Sequence, residues 1–95
     1  MINYILKVYI HKPESSCWLG GSGGRVLGRI YTREGYDKAF DACYKNRRCG
    51  CIDTCNGYVY GGDWYDIYAT STTKDNPGSN ACHSWVKKTL YFAEG

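Results

Sequence analysis

The chain has 95 residues, six of them cysteine, and its 12 basic and 9 acidic side chains give a net charge of +3. This length predicts a single domain, residues 1–95, whose small core is marginally stable without cross-links. The charges form no basic stripe, and no apolar run approaches the roughly 20 residues of a membrane span. The composition therefore excludes a nucleic-acid partner and membrane insertion.

The N-terminal segment predicts a β-strand over residues 2–11. Apolar side chains alternate along one face of it: Ile2, Tyr4, Leu6, Val8 and Ile10. We expect this face to be half-buried and the strand to end at Pro13. Lys7 interrupts the apolar segment and no small-residue cleavage site follows, so these residues do not have the features of a signal peptide. An exported chain is therefore expected to have lost a leader upstream or to use another route.

A Gly-rich turn leads into a second predicted strand over residues 25–31, in which Gly28 marks a bulge or a close approach of the backbone. The one predicted helix starts near Gly35 and carries an apolar stripe at helical spacing. The stripe consists of Tyr36, Ala39, Phe40 and Cys43. Asp37 and Lys45 carry the charges that favour the two ends of a helix dipole.

Short strands separated by turn signals fill the rest of the chain. They are predicted at CGCID (49–53), YVY (58–60), WYDIYAT (64–70) and SWVKKTLYF (84–92), with a polar loop over residues 71–81. The helix stripe is expected to form one side of the core. The strands are expected to supply the other side through Trp64, Ile67, Trp85, Val86 and Leu90. The predicted fold class is α+β, with one α-helix packed on a curved antiparallel β-sheet in a disulfide-rich domain.

Four of the six cysteines lie within thirteen positions, CYKNRRCGCIDTC from Cys43 to Cys55, and three kinds of chemistry compete to explain them. A zinc site needs two close pairs of ligands, and Cys51 with Cys55 offers one pair but no second pair has suitable spacing. A redox site could use the CGC thiols beside Arg47 and Arg48, but such sites usually lie at a helix N-terminus and this one follows a helix. Structural disulfides require only that each sulfur find a partner. An even number of cysteines in a short chain favours them, together with an oxidising compartment.

The disulfide pairing has fifteen possible arrangements, and the sequence alone leaves them open. Cys43 lies on the predicted buried face of the helix and Cys49 follows by a short loop, so a bridge between them would fix the helix to the sheet. Cys17 and Cys82 flank the first and last strands, so their bond would tie the ends of the chain together. The arrangement that we predict is Cys43–Cys49, Cys17–Cys82 and Cys51–Cys55.

The run GYDKAFDACYKNRRCGCIDTCNGYVYGGDWYDIYATST, closed by HSWVKK, resembles the PAN/apple superfamily over about residues 28–88. Members of that superfamily have a helix, a Cys-x5-Cys connection into a strand, a Gly-rich hairpin and aromatic strands. Cys43 and Cys49 match its helix-to-strand bridge, and Cys17 with Cys82 resemble its terminal bridge, whereas the other two cysteines are additional. The terminal strands lie outside the match. The resemblance implies a secreted module that binds proteins or carbohydrates, often in adhesive or assembled structures, and it implies no catalytic residues.

The residues themselves show no catalytic pattern. His11 and His83 have no carboxylate or serine partner at motif spacing, and HExxH, GxSxG and P-loop patterns do not occur. LGGSGGR is Gly-rich but lacks the spacing of a phosphate-binding loop. We therefore expect no enzymatic activity, no cofactor and no metal.

Aromatic residues are concentrated in NGYVYGGDWYDIY, residues 56–68. Their planar faces beside Asn and Asp suit either sugar stacking or a protein-binding hot spot. Alternate positions of a strand must face the core, so only the outward half of them can bind a ligand. The candidate ligand-binding residues are Tyr58, Tyr60, Trp64, Tyr65, Arg47 and Arg48.

These observations predict a secreted, extracellular, non-enzymatic recognition or adhesion module whose partner is a glycan or an extracellular protein. The alternative is a structural subunit that assembles with itself through strand edges into a polymer or filament. Two predicted strands, residues 2–11 and SWVKKTLYF, favour it because they are Tyr-containing and carry few charges. A third hypothesis, a cytotoxic or antimicrobial peptide, rests only on the modest positive charge.

Overall fold

The computed structural model describes residues 2–20, 26–35, 37–55, 63–78 and 81–94. The strands are β1 (Ile2–Lys12), β2 (Ser15–Cys17), β3 (Val26–Tyr31), β4 (Cys51–Thr54), β5 (Trp64–Tyr68), β6 (Thr73–Asp75) and β7 (His83–Glu94). Helix α1 spans Asp37–Lys45, and a short 3-10 helix at Thr32–Glu34 precedes it. The molecule is therefore a small disulfide-rich α+β domain with mostly antiparallel sheet, which confirms the predicted class.

Five strands form one antiparallel sheet in the order β1-β7-β4-β5-β3, and β2 pairs with β6 in a separate two-stranded sheet. β1 pairs with β7 along its whole length, from Ile2 opposite Glu94 to Lys12 opposite Ser84. The two terminal strands therefore pair with each other. The predicted bulge at Gly28 is confirmed, because the register between β3 and β5 shifts between Val26 and Gly28.

One face of the large sheet, which we call the helix face, packs against α1. Ala39 and Cys43 of the helix are fully buried against the sheet. Phe40 meets Trp85 edge-on, with ring centroids 5.4 Å apart, and Tyr9 donates a hydrogen bond of 2.8 Å to the Phe40 carbonyl. The buried strand residues on this face are Ile52, Tyr65, Ile67 and Trp85. The core thus lies between α1 and strands β7, β4 and β5.

The opposite face of the sheet is partly covered by β2. After Lys12 the chain turns back, and Ser15 makes a buried hydrogen bond with Ser84 of β7. The backbone N–H of Cys17 donates to the Asp53 carboxylate at 3.0 Å. We call this side the β2 face.

The predicted core was right only in part. Ile67 and Trp85 are buried in it, but Trp64, Val86 and Leu90 are only half-buried and lie outside the core cluster. Neighbouring strand residues point to opposite faces, so Trp85 and Val86 cannot both face the helix. Tyr36 lies outside the described residues.

The predicted half-buried face of β1 was also wrong. Tyr4, Leu6 and Ile10 are exposed, and it is Tyr9, on the other face, that packs against the helix. An alternating pattern defines two faces of a strand, but it does not say which of them a helix will cover.

Two short strands were missed. β2 and β6 have three residues each, and β6 lies within the segment predicted as a polar loop. A segment of three residues is too short to show an alternation of apolar and polar side chains. The two strands are recognised from their backbone pairing, which runs from Ser15 opposite Asp75 to Cys17 opposite Thr73. The YVY strand predicted at residues 58–60 lies outside the described residues.

All six cysteines are in disulfides, so no thiolate is left for a zinc site, and the two CGC cysteines bond to different partners rather than to each other. The bridges are Cys17–Cys51, Cys43–Cys49 and Cys55–Cys82. The bridge from helix to strand agrees with the sequence prediction.

The predicted bridges Cys17–Cys82 and Cys51–Cys55 were wrong. β4 is extended, so Cys51 and Cys55 are about 13 Å apart along the chain, beyond the reach of a disulfide. Thr54 pairs with His83 in register, which brings the next residues, Cys55 and Cys82, opposite each other. Cys17 lies on the β2 face directly over Cys51.

Candidate functional site

A cleft of about 330 Å³ opens where β3 ends and β5 begins. It is lined by Tyr31, Thr32, Arg33, Asp63 and Trp64, and we call it the aromatic cleft. Tyr31 and Trp64 face each other across the β3–β5 pair, with ring centroids 6.5 Å apart and planes at 71°. The first turn of the 3-10 helix closes the cleft, because the backbone N–H of Thr32 donates to the Asp63 carbonyl at 3.0 Å.

Each of the two rings is held by an arginine. The Arg29 guanidinium lies 4.5 Å from the centroid of Trp64, and that of Arg33 lies 4.9 Å from the centroid of Tyr31. Such stacking is an attractive cation–π contact that also restrains the ring. Both aromatic groups of the cleft are therefore positioned before any ligand arrives.

Arg29 is itself fixed by a two-point contact with Asp66. Its Nε and Nη2 donate to the two carboxylate oxygens at 2.8 Å and 3.0 Å. Hydrogen bonding to Asp66 raises the pKa of Arg29, so the guanidinium keeps its charge. This geometry is specific to arginine, whose planar fork matches a carboxylate.

A buried acidic group lies behind this contact on the same face of the sheet. Burial raises the pKa of Asp53 to about 6, although hydrogen bonds from the Cys17 N–H and the Tyr68 hydroxyl oppose the shift. Burial and the charges of Asp53 and Asp66 raise the pKa of Tyr68, so its hydroxyl stays protonated and donates. Neither Asp53 nor Tyr68 lines the aromatic cleft.

The structure does not bring the predicted ligand-binding residues together. Trp64 lines the cleft, but Tyr65 is 2% exposed and belongs to the core, so its proposed role in binding was wrong. Arg47 and Arg48 are exposed in the turn after α1, beyond the opposite end of β5 from Trp64. Tyr58 and Tyr60 lie outside the described residues.

Arg48 belongs instead to a separate groove of about 590 Å³. Its other lining residues are Leu19, Val26, Leu27 and Ala69. Arg48 is held at its backbone, where its N–H donates to the Asn46 side chain at 2.9 Å. The two predicted arginines therefore cannot serve the same site as Trp64.

Sequence reasoning missed Tyr31, Arg29 and Arg33. The sequence contains two short patterns, Arg29-x-Tyr31 and Trp64-x-Asp66, that could have indicated the site. In the β3–β5 register Arg29 lies opposite Asp66 and Tyr31 lies opposite Trp64. Side chains directly opposite on one face of a sheet interact. The signal becomes readable only when these two strands are known to be neighbours.

The two histidines, which have no catalytic partner at motif spacing in the sequence, form a pair in the structure. His11 Nε2 and His83 Nδ1 are 3.1 Å apart, and His11 also stacks on Trp85 with centroids 4.9 Å apart. One ring must donate and the other accept, so at least one is neutral. Burial, and secondarily His83, lowers the pKa of His11.

Within the described residues, no group of three or more His, Cys, Asp or Glu side chains is arranged to hold a metal ion. The helix in the described part of the chain is too short and too polar to cross a membrane. Comparison with protein-family models, with curated proteins and with solved structures finds no match to this chain. Membership of the PAN/apple superfamily therefore stays a prediction from the sequence motifs.

Proposed function

We propose that this chain is a secreted, non-enzymatic recognition module that binds a carbohydrate ligand at the aromatic cleft. The observation that carries the proposal is the arrangement of Tyr31 and Trp64 at the cleft, each ring restrained by an arginine. Arg33 and Asp63 beside them offer hydrogen-bond donors and acceptors suited to sugar hydroxyls. Three disulfides in a small domain are typical of an oxidising, extracellular compartment.

A protein ligand is the alternative occupant of the cleft. Tyr, Trp and Arg are also the residues that dominate protein-binding hot spots. We favour carbohydrate because the cleft is small, at about 330 Å³, and because charged groups lie beside both rings. The PAN/apple resemblance supports the general class, a recognition module, and not the choice between these two ligands.

The proposal predicts that Tyr31→Ala weakens carbohydrate binding. Tyr31 is 40% exposed and its truncation removes one wall of the cleft, so we expect affinity to fall roughly tenfold or more. Binding is measured first on a glycan array and then by calorimetry with the best ligand.

Tyr44→Ala is the matched control, because Tyr44 is 49% exposed on α1 and also carries a cation–π contact, from Lys7. This variant should bind like the wild type. An array on which the wild-type protein binds no glycan would contradict the carbohydrate assignment. Equal losses in both variants would contradict the location of the site.

A further inference from the structure

β1 and β7 continue well beyond the rest of the sheet. β7 pairs with β4 only through residues 83–86, and the N–H of Lys87 then donates to the Gly50 carbonyl. Farther along, residues 2–8 of β1 pair only with residues 88–94 of β7 among the described strands. We call this two-stranded extension the terminal ribbon. It accounts for an elongated molecule of 49 × 29 × 22 Å.

Both faces of the terminal ribbon expose apolar side chains. On the β2 face, Tyr4 is 46% and Leu6 is 49% exposed, and the ring of Tyr4 stacks on Phe92 with centroids 5.1 Å apart. On the helix face, Ile5 is 59% and Tyr91 is 77% exposed. A two-stranded ribbon without further cover is marginally stable in water, so this one is expected to acquire a partner.

No strand in the described part of the chain pairs with the outer edge of β1. β1 is the terminal strand of the large sheet, has 11 residues, and contains no proline and only two lysines, Lys7 and Lys12. Such a long, weakly charged edge presents a continuous row of backbone donors and acceptors that another strand can satisfy. A lipid surface cannot satisfy these groups, which argues for a strand as the partner.

We propose that the terminal ribbon is a homodimer interface, in which β1 of one copy pairs antiparallel with β1 of a second copy. The two-fold axis passes beside Leu6, so that Leu6 opposes Leu6 of the second copy. In this register Tyr4 opposes Val8, and Lys7 opposes Ile5. A register centred one residue later would set Lys7 against Lys7, and like charges directly opposite are destabilising.

The edge of β1 fits a second copy of itself better than it fits the other edge of the sheet. β3 has six residues and a shift in register between Val26 and Gly28, so it cannot continue an 11-residue ladder. An interface from β1 to β3 would build an open filament, whereas β1 to β1 closes on itself. The assembly is therefore a dimer and not a polymer.

The proposed dimer interface is small compared with most specific protein–protein interfaces. In this register residues 2–10 of each β1 pair with one another. The contact buries the strand edge and the flanks of the apolar side chains, on the order of 500 Å² per copy and about 1,000 Å² in total. That area reaches the lower bound of biological interfaces. Dimerisation is therefore expected at high micromolar protein concentration.

The first test is sedimentation velocity over a concentration series. The wild type should convert from monomer to dimer, and Leu6→Lys should raise the dissociation constant roughly tenfold or more, because it sets two lysines opposite each other. Val26→Lys is the matched control, since Val26 is 42% exposed on the opposite edge strand. It should leave the dissociation constant unchanged.

The second test identifies the edge that pairs. Residues opposite each other across the axis have Cα atoms about 4.5–5.5 Å apart, so Leu6→Cys should form a disulfide-linked dimer under air oxidation. Leu90 lies directly opposite Leu6 within the ribbon. In the proposed dimer two copies of Leu90 are three strand spacings apart, about 14 Å, so Leu90→Cys should not cross-link.

Three results would overturn the proposal. A wild-type protein that stays monomeric at the highest soluble concentration has no such interface. Cross-linking of Leu90→Cys rather than Leu6→Cys would place the contact on β7. Binding of the monomer to phosphatidylcholine vesicles, without dimerisation, would assign the terminal ribbon to a lipid surface. Carbohydrate binding should survive Leu6→Lys, so a failure here is distinguishable from a failure at the aromatic cleft.

Discussion

At the scale of single residues, the most informative group is the carboxyl of Asp53. It is 2% exposed, and burial raises its pKa to about 6 from an ordinary 3.8. The folded state therefore binds the proton more tightly than the unfolded state does. It follows that the contribution of Asp53 to stability is fully present below about pH 3.8 and is lost as the pH rises to about 6.

Asp53→Asn should remove this loss of stability at higher pH. The amide carries no charge, yet it keeps an oxygen that can accept a hydrogen bond from the Cys17 N–H. As the pH rises from 4 to 7, the free energy of unfolding of the variant should increase by about 2 kcal/mol relative to that of the wild type. Urea unfolding at both pH values measures the difference. The control is Asp75→Asn, whose carboxyl is exposed on β6; an identical pH response in the two variants would contradict the assignment to Asp53.

At the scale of elements, Gly50 determines how the helix connection joins the sheet. It follows the Cys43–Cys49 bridge, its N–H donates to the Tyr68 carbonyl, and its carbonyl accepts from Lys87. Gly50 thus continues the ladder of β4 to both neighbouring strands. A Cβ atom here would lie 2.6 Å from the backbone oxygen of Thr70.

Gly50→Ala should therefore destabilise the fold by about 1–3 kcal/mol, because the atoms that would have to move belong to the backbone and not to a flexible side chain. Gly28→Ala is the comparison, since its Cβ would meet only the Ile67 side chain at 3.7 Å. That change should be close to neutral. Thermal and urea unfolding of the two variants measure the contrast, and similar losses in both would contradict this account of Gly50.

A lysine of β7 binds the C-terminal end of helix α1. Lys87 reaches from β7 and its Nζ donates to the carbonyls of Cys43 and Asn46 at 2.7 Å and 3.0 Å. A cation at this position satisfies orphan carbonyl groups and complements the negative end of the helix dipole. The disulfide and this lysine together hold the end of the helix to the sheet.

At the scale of the whole molecule, two disulfides join parts of the chain that are far apart in the sequence: Cys17–Cys51 links the small sheet to the large one, and Cys55–Cys82 links β4 to β7. Cys17–Cys51 and Cys55–Cys82 close loops with sequence separations of 34 and 27 residues, whereas Cys43–Cys49 closes one of 6. By loop entropy, the bridges stabilise the fold by about 4, 3.5 and 2 kcal/mol in that order. Each long bridge alone is comparable to the net stability of a small domain.

Replacing both cysteines of one bridge by alanine should therefore cost most for Cys17–Cys51 and least for Cys43–Cys49. Urea unfolding of the three double variants gives the order. Peptide mapping of the non-reduced wild-type protein checks the pairing itself. A peptide that links Cys17 to Cys82 would contradict the arrangement described above.

Local patterns predicted most elements of this fold. The strand over residues 2–11, the helix stripe through Ala39 and Cys43, and the bulge at Gly28 all correspond to observed features, although the buried face of that strand was predicted wrongly. The aromatic cleft was not predictable in the same way. Tyr31 and Trp64 are about a third of the 95-residue chain apart, and only the β3–β5 register brings them together.

The sequence by itself determined the fold class, a small disulfide-rich α+β domain, and it predicted the short bridge between Cys43 and Cys49 that the structure contains. Only the tertiary structure decided which face of each strand is buried, and which distant cysteines meet. The physical reason is that alternation along a strand defines two equivalent faces. Which of them is covered depends on the neighbours that the chain brings back, and among the described residues α1 covers the central strands while Tyr4, Ile5, Leu6 and Tyr91 of the terminal ribbon stay exposed.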